Sequence, residues 1–181
     1  EHYSYVTITA VADEGYQFAS WSGSGVTDPA SSTTTVHMTQ SRNVTPNFEP
    51  KTYLLTLISS NSSDGSVRTS DNTYFFQHDT NATIIATPGR GFSFANWTGD
   101  TVDSNTSITT TVHMTGPKTV TANFEANLHN LTISRITRNF DGSSNANGSL
   151  GGSVSGSGAL AHGTLAELVA ISNPGYEFVE W

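Results

Sequence analysis

Short alternating runs of apolar and polar residues carry almost all of the structural signal in this chain. Val6-Thr7-Ile8-Thr9-Ala10-Val11 and Thr83-Ile84-Ile85-Ala86 are β-branched and only a few residues long, as strands are. Tyr16 and Phe18, and again Phe92 and Phe94, are separated by single polar residues, the period of a half-buried strand. Thr35-Val36-His37-Met38 and Thr111-Val112-His113-Met114 put Val and Met on one face and Thr and His on the other. Val120, Ala122 and Phe124 alternate with Thr121 and Asn123 in the same way. Tyr53–Ile58 and Leu131–Ile133 read as first strands. Asp64-Gly65-Ser66-Val67 and Gly151-Gly152-Ser153-Val154 read as tight turns into second strands. Helix formers are confined to Ala159–Ala161 and Leu165–Leu168, and Gly163-Thr164 interrupts them. The pattern predicts an all-β protein, about six short strands per unit, with little or no helix.

The pattern also repeats. Residues 8–49 and 84–125 align without a gap, and half of the aligned positions are identical. Ile-Thr-Ala followed by Gly15-Tyr16-x-Phe18-Ala19-x-Trp21 returns as Ile-Ile-Ala followed by Gly91-Phe92-x-Phe94-Ala95-x-Trp97. Thr33–Thr39 returns as Thr109–Thr115, and Val44–Glu49 returns as Val120–Glu125. A third copy starts near Leu131 and reaches Gly175-Tyr176-x-Phe178-x-x-Trp181. The spacing is 76 residues between the first two copies and 84 between the next two. A Gly-, Ser- and Asn-rich insertion around 139–150 explains most of the difference. Repetition on this scale marks an array of small units that bury a core with their neighbours.

Glu1-His2 falls where Gln77-His78 and Ala161-His162 fall, so the frame opens inside one copy and closes inside another. The division expected is 1–49 as the C-terminal part of a first module, 50–125 as a complete module and 126–181 as the N-terminal part of a third. A window cut from a longer array explains this frame. Completion of the open halves by a neighbouring identical subunit, through strand addition, is the alternative.

Composition narrows the setting. Ser and Thr make up 51 of 181 residues, charged residues only 12%, and cysteine is absent. Units of this size bury only about 60–65% of their unfolded surface. Without disulfides, stability must come from aromatic and β-branched packing and from contacts between units. The net charge of −8, two lysines and five scattered arginines argue against nucleic acid and anionic lipid as partners. No apolar run approaches the ~18–20 residues of a membrane span. A hydroxyl-rich, weakly charged surface suits an extracellular β-protein.

Gly91-Phe92-Ser93-Phe94-Ala95-Asn96-Trp97-Thr98-Gly99, then Val112-His113-Met114, then Val120-Thr121-Ala122-Asn123-Phe124, form an ordered set of three blocks. Together they resemble the divergent internalin B-type repeat of bacterial surface proteins. The first copy departs mildly, with Pro46 where the family has Ala. A proline there removes a ladder donor and indicates an edge strand. The resemblance implies a small β-grasp-like module, strung in tandem on secreted or cell-surface proteins as stalk, spacer or adhesive element. It brings no catalytic residues.

Each candidate chemistry meets a plainer reading. The recurrent Trp21, Trp97 and Trp181, with Phe18, Phe94 and Phe178, could stack on sugar but are better read as module core. His37 with His113, and His2 with His78 and His162, occupy two repeated positions. Neither has a second ligand at close, fixed spacing, so no metal site is expected. Asp100 and Asp103 come nearest to a calcium pair, yet the first copy has Ser24 and Thr27 there. Gly156–Ala161 matches a loose Gly-x-Gly-x-x-Ala pattern, but in a hairpin region rather than a strand–helix turn. There is no nucleophile elbow and no recurrent carboxylate pair. No enzyme activity and no cofactor are expected.

Seven Asn-x-Ser/Thr sequons occur, and the loop positions Asn61, Asn105 and Asn147 are the expected glycosylation acceptors. Asn96, beside Trp97, is expected to be less accessible. The loops 22–32 and 98–108 contain no aromatic residue, so the candidate ligand-contact surface is Tyr74, Phe75 and Phe76. The function expected is a non-catalytic extracellular stalk, spacer or filament built of tandem β-modules. The alternative is an adhesin or carbohydrate-binding module attached to a secreted enzyme. Expected partners are neighbouring modules or identical subunits, with cell-surface glycans under the alternative.

Overall fold

The computed structural model describes residues 4–138, 143–145 and 151–181. Among these the chain is all-β, with no helix. The first copy contributes β1 (Ser4–Thr9), β2 (Tyr16–Gly23), β3 (Thr33–Met38) and β4 (Val44–Pro50). The central copy contributes β5 (Thr52–Ser59), β6 (Gly65–Thr69), β7 (Phe75–Gln77), β8 (Thr80–Pro88), β9 (Phe92–Gly99), β10 (Thr109–Met114) and β11 (Lys118–Ala126). The third contributes β12 (Leu128–Leu131), β13 (Thr137–Arg138), β14 (Ser144–Asn145), β15 (Gly152–Ser155), β16 (Gly158–Ala161) and β17 (Val169–Ser172).

The central copy is two facing sheets, one of strand order β7-β5-β11-β9 and the other β10-β8-β6. Successive strands go to opposite sheets, so no two consecutive strands pair. The turn read at Asp64-Gly65 does lead into β6, but it crosses between sheets, and the reading of Gly156–Ala161 as a hairpin region is corrected. β5 and β6 lie in different sheets, and β15 pairs with β17 while β16 pairs with β12. Both faces of a thin sandwich need covering, and a chain that crosses over at every turn covers them with very short strands. The first and last strands, β5 and β11, lie side by side and parallel at the centre of the larger sheet.

Inward positions follow the alternation. Leu55 from β5, Val120 and Ala122 from β11 and Trp97 from β9 meet Ala82, Ile84 and Ala86 from β8 and Val112 and Met114 from β10. All nine are buried. Phe94, Phe124, Val67 and Leu57 close the margins.

One parity break is needed. Phe94 and Trp97 are three residues apart, so a regular strand would place them on opposite faces. The β9–β11 register shifts between Asn123 and Phe124: Asn123 faces Asn96, whereas Phe124 faces Phe94. This bulge takes up Ala95 and returns both rings to the core, 5.1 Å apart. The first copy repeats it, with Phe18 opposite Phe48 and Ser20 opposite Asn47, and Ala19 taken up.

The outer copies use the same pairings. β1–β3 reproduces β8–β10, with Val6 opposite Val36 as Ala82 is opposite Val112. β12–β16 and β15–β17 reproduce β5–β7 and β6–β8. Their cores are more open. Val6 is 48% exposed where Ala82 is fully buried, and Trp181 is 62% exposed where Trp97 is 3%. Among the described residues β4 pairs with β2 alone, but its counterpart β11 lies between β5 and β9, so in the complete copy this strand is interior and not the edge that Pro46 indicated.

Candidate functional site: the joint between copies

A single residue separates the last strand of one copy from the first strand of the next. Lys51 lies between β4 and β5, and Asn127 between β11 and β12. With so short a connection, the geometry of the linker residue sets how neighbours meet. Lys51 donates its backbone N–H to the Gly15 carbonyl at 2.8 Å, and its own carbonyl accepts the His78 N–H at 2.8 Å. Asn127 repeats both bonds at 2.8 Å, to the Gly91 carbonyl and from the His162 N–H. The linker is therefore held on one side by the preceding copy and on the other by the following one.

The side chains complete the joint. Gly15 (φ +78°) and Gly91 (φ +81°) turn the chain into the aromatic strand in the left-handed region, which favours glycine. A Cβ built on Gly15 would lie 2.1 Å from His78 Cδ2, and one on Gly91 would lie 2.0 Å from His162 Cδ2. Each imidazole thus lies directly against a backbone that has no side chain. The next residue supplies a ring edge. Tyr16 meets His78 with centroids 5.8 Å apart, and Phe92 meets His162 at 6.3 Å. Tyr53 of β5 also meets His78 edge-on, with centroids 6.0 Å apart. The recurrence of the Gly-aromatic pair and of His78 with His162 was visible in the sequence. That the two meet across a copy boundary was not, because 63 residues separate Gly15 from His78 and 71 separate Gly91 from His162.

A second geometry, repeated in two copies, fixes the polar loops. The Trp97 indole N–H donates to the Ser107 carbonyl at 2.7 Å and its backbone N–H to the Asn105 carbonyl at 2.7 Å. Thr110 Oγ1 accepts the Ser104 N–H at 2.8 Å. Trp21, with Ser31 and Pro29, and Thr34, with Asp28, make the same bonds in the first copy. Backbone carbonyls and amides do the anchoring, which is why the loop sequence drifts while its length holds.

The remaining sequence candidates are placed as follows. Asn61 and Asn105 are exposed in loops, and Asn147 lies outside the described residues. Asn96 is also exposed, contrary to expectation. The strand alternation turns it away from Trp97, onto the outer face, where its Oδ1 accepts Asn123 Nδ2 at 2.8 Å. Phe76 packs inward against the core, while Tyr74 and Phe75 are 38% and 63% exposed. Phe75 stands opposite Leu54, itself 44% exposed, at the edge of the larger sheet. Asp100 is committed to the loop: Oδ2 accepts the Thr119 N–H at 2.7 Å and Oδ1 lies 3.7 Å from Lys118 Nζ. His113 lies on the outer face between Asp79 and Asn81, and His37 stacks on Tyr5 at 4.7 Å. Among the described residues no helix is long and apolar enough to cross a membrane.

The model of the divergent InlB B-repeat domain matches three stretches of the chain, residues 2–52, 55–128 and 143–181. The chain belongs to this family of repeats, which is typical of bacterial surface proteins and generally non-catalytic. No curated protein and no solved structure matches the chain.

Proposed function

We propose that the chain is a semi-rigid spacer, three tandem β-modules divided as 1–49, 50–125 and 126–181, within a secreted or cell-surface protein. It performs no catalysis; its work is to hold other segments apart at a set orientation. The repeated joint is the observation that carries this reading. A one-residue linker bonded on both sides, with an imidazole against a bare glycine, leaves little freedom between neighbours. An unbonded linker would let them swing. Neighbouring modules are then the principal partners, and stalk or filament is the form that a longer series would take.

The absence of cysteine makes the test direct. Spin labels on Gln40→Cys and Thr115→Cys, two exposed turn positions in successive copies, report their separation by pulsed dipolar spectroscopy. A single narrow distance distribution is expected. A broad one would reject the spacer reading.

The exposed Phe75 beside Leu54 favours one second reading, an adhesive module that stacks an apolar sugar face there. Loss of glycan-array binding on Phe75→Ser would support it. A wild-type chain that binds no glycan would remove it.

A further inference from the structure

The second joint differs from the first at three of these positions: Asn127 stands for Lys51, Phe92 for Tyr16 and His129 for Tyr53. β12 places His129 where β5 has Tyr53, and the His129 imidazole stands beside that of His162 with centroids 5.5 Å apart. Nε2 of His129 and Nδ1 of His162 are 3.3 Å from each other. We propose that these two nitrogens form a binding site for a zinc-type divalent ion, in which the ion fixes the imidazole that rests on Gly91.

Distance favours this class of ion. Zinc–imidazole bonds of about 2.0–2.1 Å in tetrahedral geometry give a ligand–ligand edge of about 3.3–3.4 Å. Two cis positions of a square-planar ion would require about 2.8–2.9 Å. The observed separation of 3.3 Å therefore matches the tetrahedral edge, and each ring turns to direct its lone pair off the N–N line onto the ion. Neutral imidazole selects zinc and its neighbours over calcium or magnesium, which take oxygen ligands.

The two rings are also preorganised. β12 pairs with β16 in the register Leu128 with Ala161 and His129 with Leu160, which fixes the two backbones across the strands. The His162 ring is confined by the bare backbone of Gly91 and by the edge of Phe92, while the backbone N–H of His162 donates to the Asn127 carbonyl. Without the ion, one ring donates an N–H to the other. With it, both nitrogens present lone pairs and each ring carries its proton on the opposite nitrogen, so no net proton is lost. Both side chains are exposed, so water can fill the two remaining positions. No group of three or more His, Cys, Asp or Glu suited to a metal occurs among the described residues. The site is thus open and exchangeable, unlike a closed structural zinc site.

This inference stands apart from the spacer reading, since a rigid joint needs no metal. The test is zinc chloride titrated into the tag-free chain in a non-coordinating buffer, followed by calorimetry and histidine side-chain NMR. One zinc per chain, with the ring resonances of both His129 and His162 moved, is the expected result. His129→Tyr restores the residue of the first joint and keeps His162 on Gly91, and it should lose the binding. Unchanged binding in His129→Tyr, or unmoved His129 and His162 resonances at millimolar zinc in the wild-type chain, would overturn the proposal.

Discussion

Gly91 and His162 touch across a copy boundary so closely that a methyl group on Gly91 would come within 2.0 Å of the imidazole, and Gly15 stands in the same relation to His78. Each contact joins the turn before one copy's aromatic strand to the residue after the next copy's edge strand. The copies are therefore coupled through backbone and ring rather than through charge.

Gly91→Ala tests that coupling. It adds a side chain at positive φ, which costs about 1–2 kcal/mol, and it pushes His162 away. Amides of Asn127 and His162 are expected to exchange faster with solvent while those of the central core keep their protection. Hydrogen exchange read by NMR separates the two. Loss of protection throughout the core would mean that the joint and the module fold as one unit.

Thr69 is fully buried at the end of β6, and its hydroxyl has no hydrogen-bond partner. Thr69→Val keeps the shape and removes the unsatisfied group. The central copy should gain about 1–2 kcal/mol, seen as a higher urea midpoint at unchanged slope. A lower midpoint would show that the hydroxyl has a partner in solution.

Ile8 and Ile84 are equivalent in sequence and unequal in burial. Ile84 is fully enclosed, so Ile84→Ala should cost about 2–5 kcal/mol. Ile8 is only half-buried, and Ile8→Ala should cost less than half of that. Native-state hydrogen exchange on each variant reads the two copies separately. Equal losses would contradict the difference in packing.

Trp97→Phe removes the indole bond to Ser107 and some core volume together. A loss of about 1–3 kcal/mol is expected, with the loop 98–108 exchanging faster than in the wild type. The same three tryptophans give a simple optical check. Iodide should quench Trp181 strongly and Trp97 hardly at all, as their 62% and 3% exposures require. Comparable quenching of both would contradict the burial of Trp97.

Much of this was legible in the chain itself. Period-two alternation at Thr110, Val112 and Met114, and at Val120, Ala122 and Phe124, fixed which residues face inward, because a strand offers only two faces. The repeat determined that each copy would have the same core, and its three blocks pointed to the family. Sheet membership was beyond the reach of that pattern. Nothing local tells β6 to pair with β8 and not with β5, since strand pairing is decided by which combination of faces encloses the most apolar surface. The Phe94–Trp97 spacing did hold a signal for the bulge, in its odd parity within a strand. The joint held only half of one. Gly91 and His162 each recurred in the sequence, but their contact depends on a one-residue linker folding β12 and β16 back against the preceding turn. The chain alone determined what each module buries; the tertiary structure decided what each module touches, because long-range contacts follow from packing and leave no periodic trace.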